Sequence, residues 1–313
     1  MLALNIFTFA ISCVVLIISG IYLVKSLSRI SRILGISEFS AAFIIMAFAT
    51  SIPELFVGVS SALSGTPALS LGNIIGANII DLTLVTGIIA ISAKNIKFKS
   101  RRVRGDTEFM LFSILILIAL YVIGNGLSRV DGVVLVSLFL IHAYRIFKKR
   151  ERYKGKIKNG TTRTKRFIWL LIFLIALVGL FLSSSFVVNS AKALAIDLNF
   201  PTIIIGIFLL GIATTLPELV FGVSAVKSRH KVMAIGDQIG TVVANSTFII
   251  GIVSIIHPIS VEFMPFLVSA LFMFISAFIF VTFIKTGQKL EKIEGISLIM
   301  IFILFIIIEF FVK

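Results

Sequence analysis

Apolar residues run along this chain in ten long blocks, at about 3–24, 39–63, 68–93, 107–124, 130–147, 167–188, 201–226, 232–256, 263–284 and 295–312. Short polar or basic segments separate them. Each block approaches the roughly 20 residues with which an α-helix crosses a hydrocarbon core of ~30 Å. A backbone in lipid must satisfy its own hydrogen bonds, so unbroken apolar blocks of this length predict helices rather than strands. The pattern therefore predicts an all-α membrane protein with ten transmembrane helices. Block 3–24 has no cleavage-site signature and reads as a true span rather than a signal peptide.

Polar positions inside these blocks are few, and they recur. Residues 46–87 contain A-T-S-I-P-E (49–54), G-N-I-I-G (72–76) and Asp81; residues 210–251 contain A-T-T-L-P-E (213–218), G-D-Q-I-G (236–240) and Asn245. A single displacement of 164 residues relates Thr50 to Thr214, Pro53 to Pro217, Glu54 to Glu218, Gly76 to Gly240 and Asp81 to Asn245, and 14 of the 42 aligned positions are identical. A repeat at fixed spacing is a statement about architecture. Here it divides the chain into a first membrane repeat (1–147), a basic connector (148–166) and a second membrane repeat (167–313).

Composition agrees with the membrane reading: 58% of residues are hydrophobic, 14% are charged, and mean hydropathy is +1.14. The lone Cys13 excludes a disulfide framework and a cysteine metal site. A net charge of +15 would suggest nucleic acid in a soluble protein, but its distribution speaks against that partner. Of the 29 Lys and Arg residues, 26 fall in the loops after blocks 1, 3, 5, 7 and 9, leaving Arg129, Lys192 and Lys313 on the other side. The positive-inside rule then places the basic loops in the cytoplasm and both termini outside, in a multi-pass protein of the cell membrane. The basic run at 145–166 is expected to lie beside anionic lipid headgroups. Five spans per repeat is an odd number, so the second repeat enters the membrane inverted. Loop 64–67 carries no basic residue whereas 227–231 carries three, as inversion requires. Two inverted five-helix repeats are a transporter architecture, with the site near the midplane.

Carboxylates inside a bilayer are costly and are functional-site hypotheses by default. On a helix, Ala47, Thr50, Ser51 and Glu54 share one face, and Gly211, Thr214, Thr215 and Glu218 reproduce it. Pro53 and Pro217 should free the carbonyls of Ala49 and Ala213. The next block of each repeat adds a polar stripe: Asn73, Ala77 and Asp81, then Asp237, Thr241 and Asn245. Asp237 lies two turns before Asn245 and is expected to serve an access path or helix start rather than to bind the ion directly. Glycines 72, 76, 236 and 240 offer smooth surfaces for close helix approach. All candidate donors are oxygens, which suit Ca²⁺ or Na⁺, whereas zinc or copper would call for His or Cys. Glu54, Asp81 and Glu218 together exceed the charge of one divalent ion, so one carboxyl is protonated or paired when Ca²⁺ is bound. Asp81 is the candidate coupling residue; the alternative is a neutral Asp81 that only hydrogen-bonds Asn245.

On these two motifs the chain resembles the Ca²⁺/cation antiporter superfamily, and in particular the compact prokaryotic sodium/calcium exchangers, over essentially all ten blocks. The resemblance implies Ca²⁺ ligation by Glu54 and Glu218 with the carbonyls of Thr50 and Thr214. It further implies sodium sites from Ser51, Thr215 and Thr241, the backbone of Ala47 and Gly211, and the pair Asp81 and Asn245. Three positions depart from that pattern. Asp81 and Asn245 reverse the usual Asn-then-Asp order, Ala77 replaces a serine, and Asp237 replaces the Asn of G-N-x-I-G, with A-N-S-T (244–247) closer to the proton/calcium branch.

The function expected is secondary antiport, with Ca²⁺ extruded against Na⁺ by alternating access in a protein functional as a monomer. The alternative is H⁺/Ca²⁺ exchange. No nucleotide-binding loop is present, so an ion gradient supplies the energy, and neither a cofactor nor an enzymatic activity is expected. Two remoter readings are a cation channel and an intramembrane protease. The latter would rest on A-I-G-D (234–237), for which the chain offers no Tyr-Asp partner.

Overall fold

The computed structural model describes residues 2–33, 50–97, 101–148, 163–198, 202–227, 231–287 and 289–311. Helices dominate it. In chain order they are α1 (Leu2–Ile33), α2 (Ile52–Leu63), α3 (Pro67–Ala93), α4 (Arg101–Gly124), α5 (Arg129–Lys148), α6 (Arg163–Leu198), α7 (Thr202–Lys227), α8 (Lys231–Ile256), α9 (Phe263–Thr286) and α10 (Lys292–Phe311). Seven of them, α1, α3, α4, α6, α7, α8 and α9, are long and apolar enough to cross a membrane. The predicted span 39–63 appears as the apolar helix α2, its part before Thr50 lying outside the described residues. Most of the basic connector, 149–162, lies outside them as well.

Enclosure separates the helices into a core and a periphery. In α3 and α8, 83% and 72% of the apolar stretch is buried, against 28% in α1 and 35% in α6. Helices α1 and α6 lie along one another and turn Phe7, Val14, Ile18, Leu171, Ile175 and Leu182 outward. Such a face is expected where lipid rather than water is the neighbour. Inside, α3 crosses α7 at very short range: a Cβ on Gly72 would lie 2.2 Å from the Ile203 carbonyl oxygen, and one on Gly76 2.2 Å from that of Ile207. The glycines of the motif thus bring two helix backbones together, as small residues do in membranes.

Three core helices contain a widened turn. π-Helical segments occupy Asp81–Val85 in α3, Gly206–Leu210 in α7 and Ala244–Ile249 in α8. Those of α3 and α8 begin within one residue of the 164-residue displacement. Hydroxyls help to satisfy the altered ladder, for example Thr86 Oγ1 donating to the Asp81 carbonyl at 2.7 Å. Such bulges are rare and concentrate at functional sites.

The two halves are related by reciprocal contacts. Strand β1 (Asn95–Lys97) pairs antiparallel with β2 (Lys289–Glu291), placing Asn95 opposite Glu291. Adding 164 to one residue and subtracting it from the other gives Ile259 and Leu127, which form an isolated antiparallel bridge. Likewise Gly87 of α3 abuts Gly295 of α10, while Gly251 of α8 abuts Gly132 of α5. These contacts also fix which loops share a side. Pairing of β1 with β2, the Lys285–Glu108 ion pair (2.6 Å) and Lys231 Nζ donating to the carbonyls of Ala93 (2.7 Å) and Asn95 (3.2 Å) join the end of α3 to the start of α8 and the end of α9. The Leu127–Ile259 bridge and the Tyr121 hydroxyl, which donates to the Val261 carbonyl at 3.1 Å, join the α4–α5 and α8–α9 turns at the opposite end. Since α3 ends where α8 begins, the two motif hairpins insert from opposite sides, as the odd span count requires.

Candidate functional site

Four helices of the enclosed core supply the site: α2 and α3 from the first half, α7 and α8 from the second. Glu54 sits in the first turn of α2 behind Pro53, and Glu218 follows Pro217 within α7. The rings of both prolines meet α1 at one residue, because a Cβ on Gly20 would lie 3.0 Å from Pro217 Cγ and 3.4 Å from Pro53 Cγ. The two symmetry-related prolines are therefore neighbours, packed against one point of α1. Glu54, Glu218 and Asp81 have no exposed surface, and none of their carboxylate oxygens has a hydrogen-bond partner in the protein.

Hydroxyls and amides complete the surroundings, and most pair across the two halves. Thr50 Oγ1 and Thr241 Oγ1 are 3.2 Å apart, and Thr214 Oγ1 donates to Asn73 Oδ1 at 3.1 Å. Thr215 donates to the Gly211 carbonyl at 3.0 Å. Of the residues singled out in the sequence, Thr50, Ser51, Glu54, Asp81, Gly211, Thr214, Thr215, Glu218, Thr241 and Asn245 are all buried. Ala47 lies outside the described residues, as does Ala49 with its predicted free carbonyl.

Two features go beyond the sequence reading. Asp237 is not at the helix start. It lies in the second turn of α8, is 1% exposed, and has both carboxylate oxygens unpartnered. The four-helix core of α2, α3, α7 and α8 thus encloses four buried carboxylates, Glu54, Asp81, Glu218 and Asp237, instead of three. Repeat spacing placed Asp237 two turns from Asn245 along one helix and carries no information on its burial. Secondly, the amide nitrogen of Asn245 reaches a residue of the first half that the sequence did not single out. Asn245 Nδ2 donates at 3.1 Å to Oδ1 of Asn78, a residue that the motif comparison passed over. Asn78 is invisible to that comparison because its repeat mate is Val242.

An isolated buried carboxylate is strongly disfavoured unless paired, protonated or coordinated to a cation. Unpartnered carboxylates, hydroxyls and backbone oxygens at one place make a site for hard cations, which take six to eight oxygens when the ion is Ca²⁺. Among the described residues no three His, Cys, Asp or Glu side chains form a group that could itself hold a metal ion. A bound cation would accordingly draw on hydroxyls and backbone carbonyls beside the two glutamates.

The profile of the sodium/calcium exchanger protein family matches this chain twice, over residues 4–148 and 168–311. Among relatives, the sodium/calcium exchanger MaX1 of Methanosarcina acetivorans is 26% identical over the full length of both chains. An uncharacterised membrane protein of Methanocaldococcus jannaschii, MJ0091, is 30% identical over 78% of this chain and 80% of its own. Among solved structures, the sodium-calcium exchanger NCX_Mj soaked in Na⁺ without Ca²⁺ superposes with a TM-score of 0.69 at 27% identity, covering 98% of this chain and 99% of that one. The H⁺/Ca²⁺ exchanger CAX superposes with a TM-score of 0.82 at 17% identity, over 98% of this chain and 84% of its own, a likeness of fold alone. With both halves matched and the inverted bundle and its buried acids in place, the chain belongs to the sodium/calcium exchanger protein family, a family of membrane transporters rather than enzymes.

Proposed function

We propose that this protein is a secondary antiporter that carries Ca²⁺ out of the cytoplasm in exchange for Na⁺. The observation that carries the reading is the pair Glu54 and Glu218: one per inverted half, each beside a proline, both buried, both without a partner in the protein. Two carboxylates neutralise one Ca²⁺, and the carbonyls of Thr50 and Thr214 extend the oxygen set. Asp81, Asn245, Ser51, Thr215, Thr241 and the backbone of Ala47 and Gly211 are assigned to the counter-ion. Inverted halves around one site give two states of similar energy, each open to one side, which is the physical basis of alternating access. On this reading 1–147 and 167–313 are the two halves of one transport unit, 148–166 is a cytoplasmic connector, and a single chain suffices.

A second reading, H⁺ in place of Na⁺, is favoured by two observations. Ala77 offers no hydroxyl where its mate Thr241 does, and a fourth buried carboxylate, Asp237, lies in the same four-helix core. Ca²⁺ uptake into proteoliposomes under an outward Na⁺ gradient, and separately under a pH gradient, decides between them. Uptake driven by Na⁺ alone supports the first reading; uptake driven by the pH gradient alone replaces it with the second. Uptake that needs no counter-ion gradient would make the protein a channel.

A further inference from the structure

Asn78 stands at the centre of the only hydrogen-bonded amide pair that crosses between the halves among the described residues, and nothing about Ca²⁺ ligation calls for it. It is fully buried in α3. One of its amide atoms faces two groups of the second half, the Ser246 hydroxyl at 2.9 Å and the Met273 sulfur at 3.5 Å. A thioether carries no proton to donate, so the atom that faces it must be the donor, Nδ2. The sense of the Asn78 amide is thereby fixed by Met273, and its Oδ1 is left to face Asn245. An amide oxygen only accepts, so Asn245 must present its own Nδ2, which it does at 3.1 Å. Asn245 Oδ1 consequently has no partner in the protein and is fully buried. A thioether on α9 thus sets, through two amides, which atom of Asn245 is left free. A cation takes an amide oxygen and rejects an amide nitrogen.

We infer that Asn78 is a positioning residue, locked by Met273, that holds the Asn245 amide with its oxygen turned to the transported cation. The inference rests on the reading of Asn245 as a cation ligand. It accounts for the asymmetry at this depth. Where the symmetry-related position has the apolar Val242, opposite a carboxylate, Asp81, that needs no orienting because both of its ends are oxygens, the second half has an amide that does need it.

Equilibrium ⁴⁵Ca²⁺ binding to the purified protein, alone and with Na⁺ as competitor, tests this in a double-mutant cycle. Asn78→Ala is expected to raise the half-saturating Ca²⁺ or the half-competing Na⁺ concentration about tenfold, the size of one lost buried hydrogen bond to a ligating group. In an Asn245→Ala background, where no amide remains to be oriented, the same substitution should shift both concentrations less than about twofold. Met273→Leu, close in volume, releases the amide sense without opening a cavity. It should give a smaller shift in the same direction that likewise vanishes with Ala at 245, and it serves where Asn78→Ala does not fold. An equal shift in both backgrounds, or no shift in either, would overturn the positioning role while leaving Asn245 as a ligand. If Asn245→Ala by itself moves neither concentration, Asn245 is not a ligand and both readings fall.

Discussion

At the residue scale, chemistry is concentrated in a few groups whose positions are individually expensive. Glu54 and Glu218 are held without any protein donor, so a cation or a proton is their stabilising partner in the membrane. Replacing either by Gln removes charge and leaves one weak amide oxygen. Glu54→Gln or Glu218→Gln should lower Ca²⁺ flux by more than about a hundredfold while membrane insertion and detergent monodispersity persist. Substantial exchange by the double variant would remove these residues from the site. On the proposed reading Asp81, together with Asp237, carries the negative charge in excess of what one Ca²⁺ neutralises, and its mate Asn245 cannot titrate. Asp81→Asn should therefore flatten the dependence of Ca²⁺ exchange on pH between about 5 and 9, because part of the surplus charge that a proton compensates is gone. A profile matching the native one would exclude Asp81 as the titrating group. The alternative, a neutral Asp81 that only hydrogen-bonds Asn245, predicts instead that the pH profile survives with little change.

Elements were legible in the sequence to the extent that a linear pattern determines them. Block length alone located the helices, because lipid admits little else at that depth. Glycines 72 and 76 announced a close crossing, and α3 meets α7 there. Three features had no linear signal. The π-helical turns at Asp81–Val85, Gly206–Leu210 and Ala244–Ile249 share no residue pattern that sets them apart from the α-helix around them. Asp237 read as an access-path or helix-start residue by its position along α8, yet it is buried in the second turn of that helix. Asn78 was hidden by the very symmetry that revealed its neighbours. The crossing itself can be tested. In Gly76→Ala the new methyl would stand 2.2 Å from a carbonyl oxygen of the backbone, which cannot swing aside as a side chain can. Overpacking of this kind costs about 1–3 kcal/mol or more. Gly76→Ala is thus expected to lower the thermal midpoint and the yield of monodisperse protein. Gly105→Ala in α4, with nothing within 4 Å of the added methyl, should be neutral or slightly stabilising. Equal behaviour of the two variants would mean that α3 and α7 do not cross at this distance.

At the scale of the whole molecule, inversion and charge bear on the same quantity by independent routes. Contacts assign loops to sides without reference to charge: the ends of α3 and α9 and the start of α8 lie together, and the α4–α5 and α8–α9 turns lie at the other end. Charge assigns the same two sets without reference to contacts. Lys94, Lys97, Lys227, Lys231, Lys285, Lys289 and Lys292 belong to the first set, whereas the second has Arg129 near its turn. Translocation of a Lys- or Arg-rich loop is disfavoured, so the first set is expected in the cytoplasm, together with the 145–166 run. In a background with Cys13 replaced by Ala, single cysteines at Lys156 and at Lys289 should resist a membrane-impermeant maleimide in intact cells and react after permeabilisation. A cysteine at Asn125, in the opposite turn, should react from outside without it. Agreement between Lys156 and Lys289 follows from the span count whatever the absolute orientation; reaction of both from outside, with Asn125 protected, would reverse the orientation and with it the direction of Ca²⁺ transport. Opposite behaviour of Lys156 and Lys289 is a stronger result, because it would require an odd number of crossings between them and would dismantle the inverted pair on which a single shared site depends.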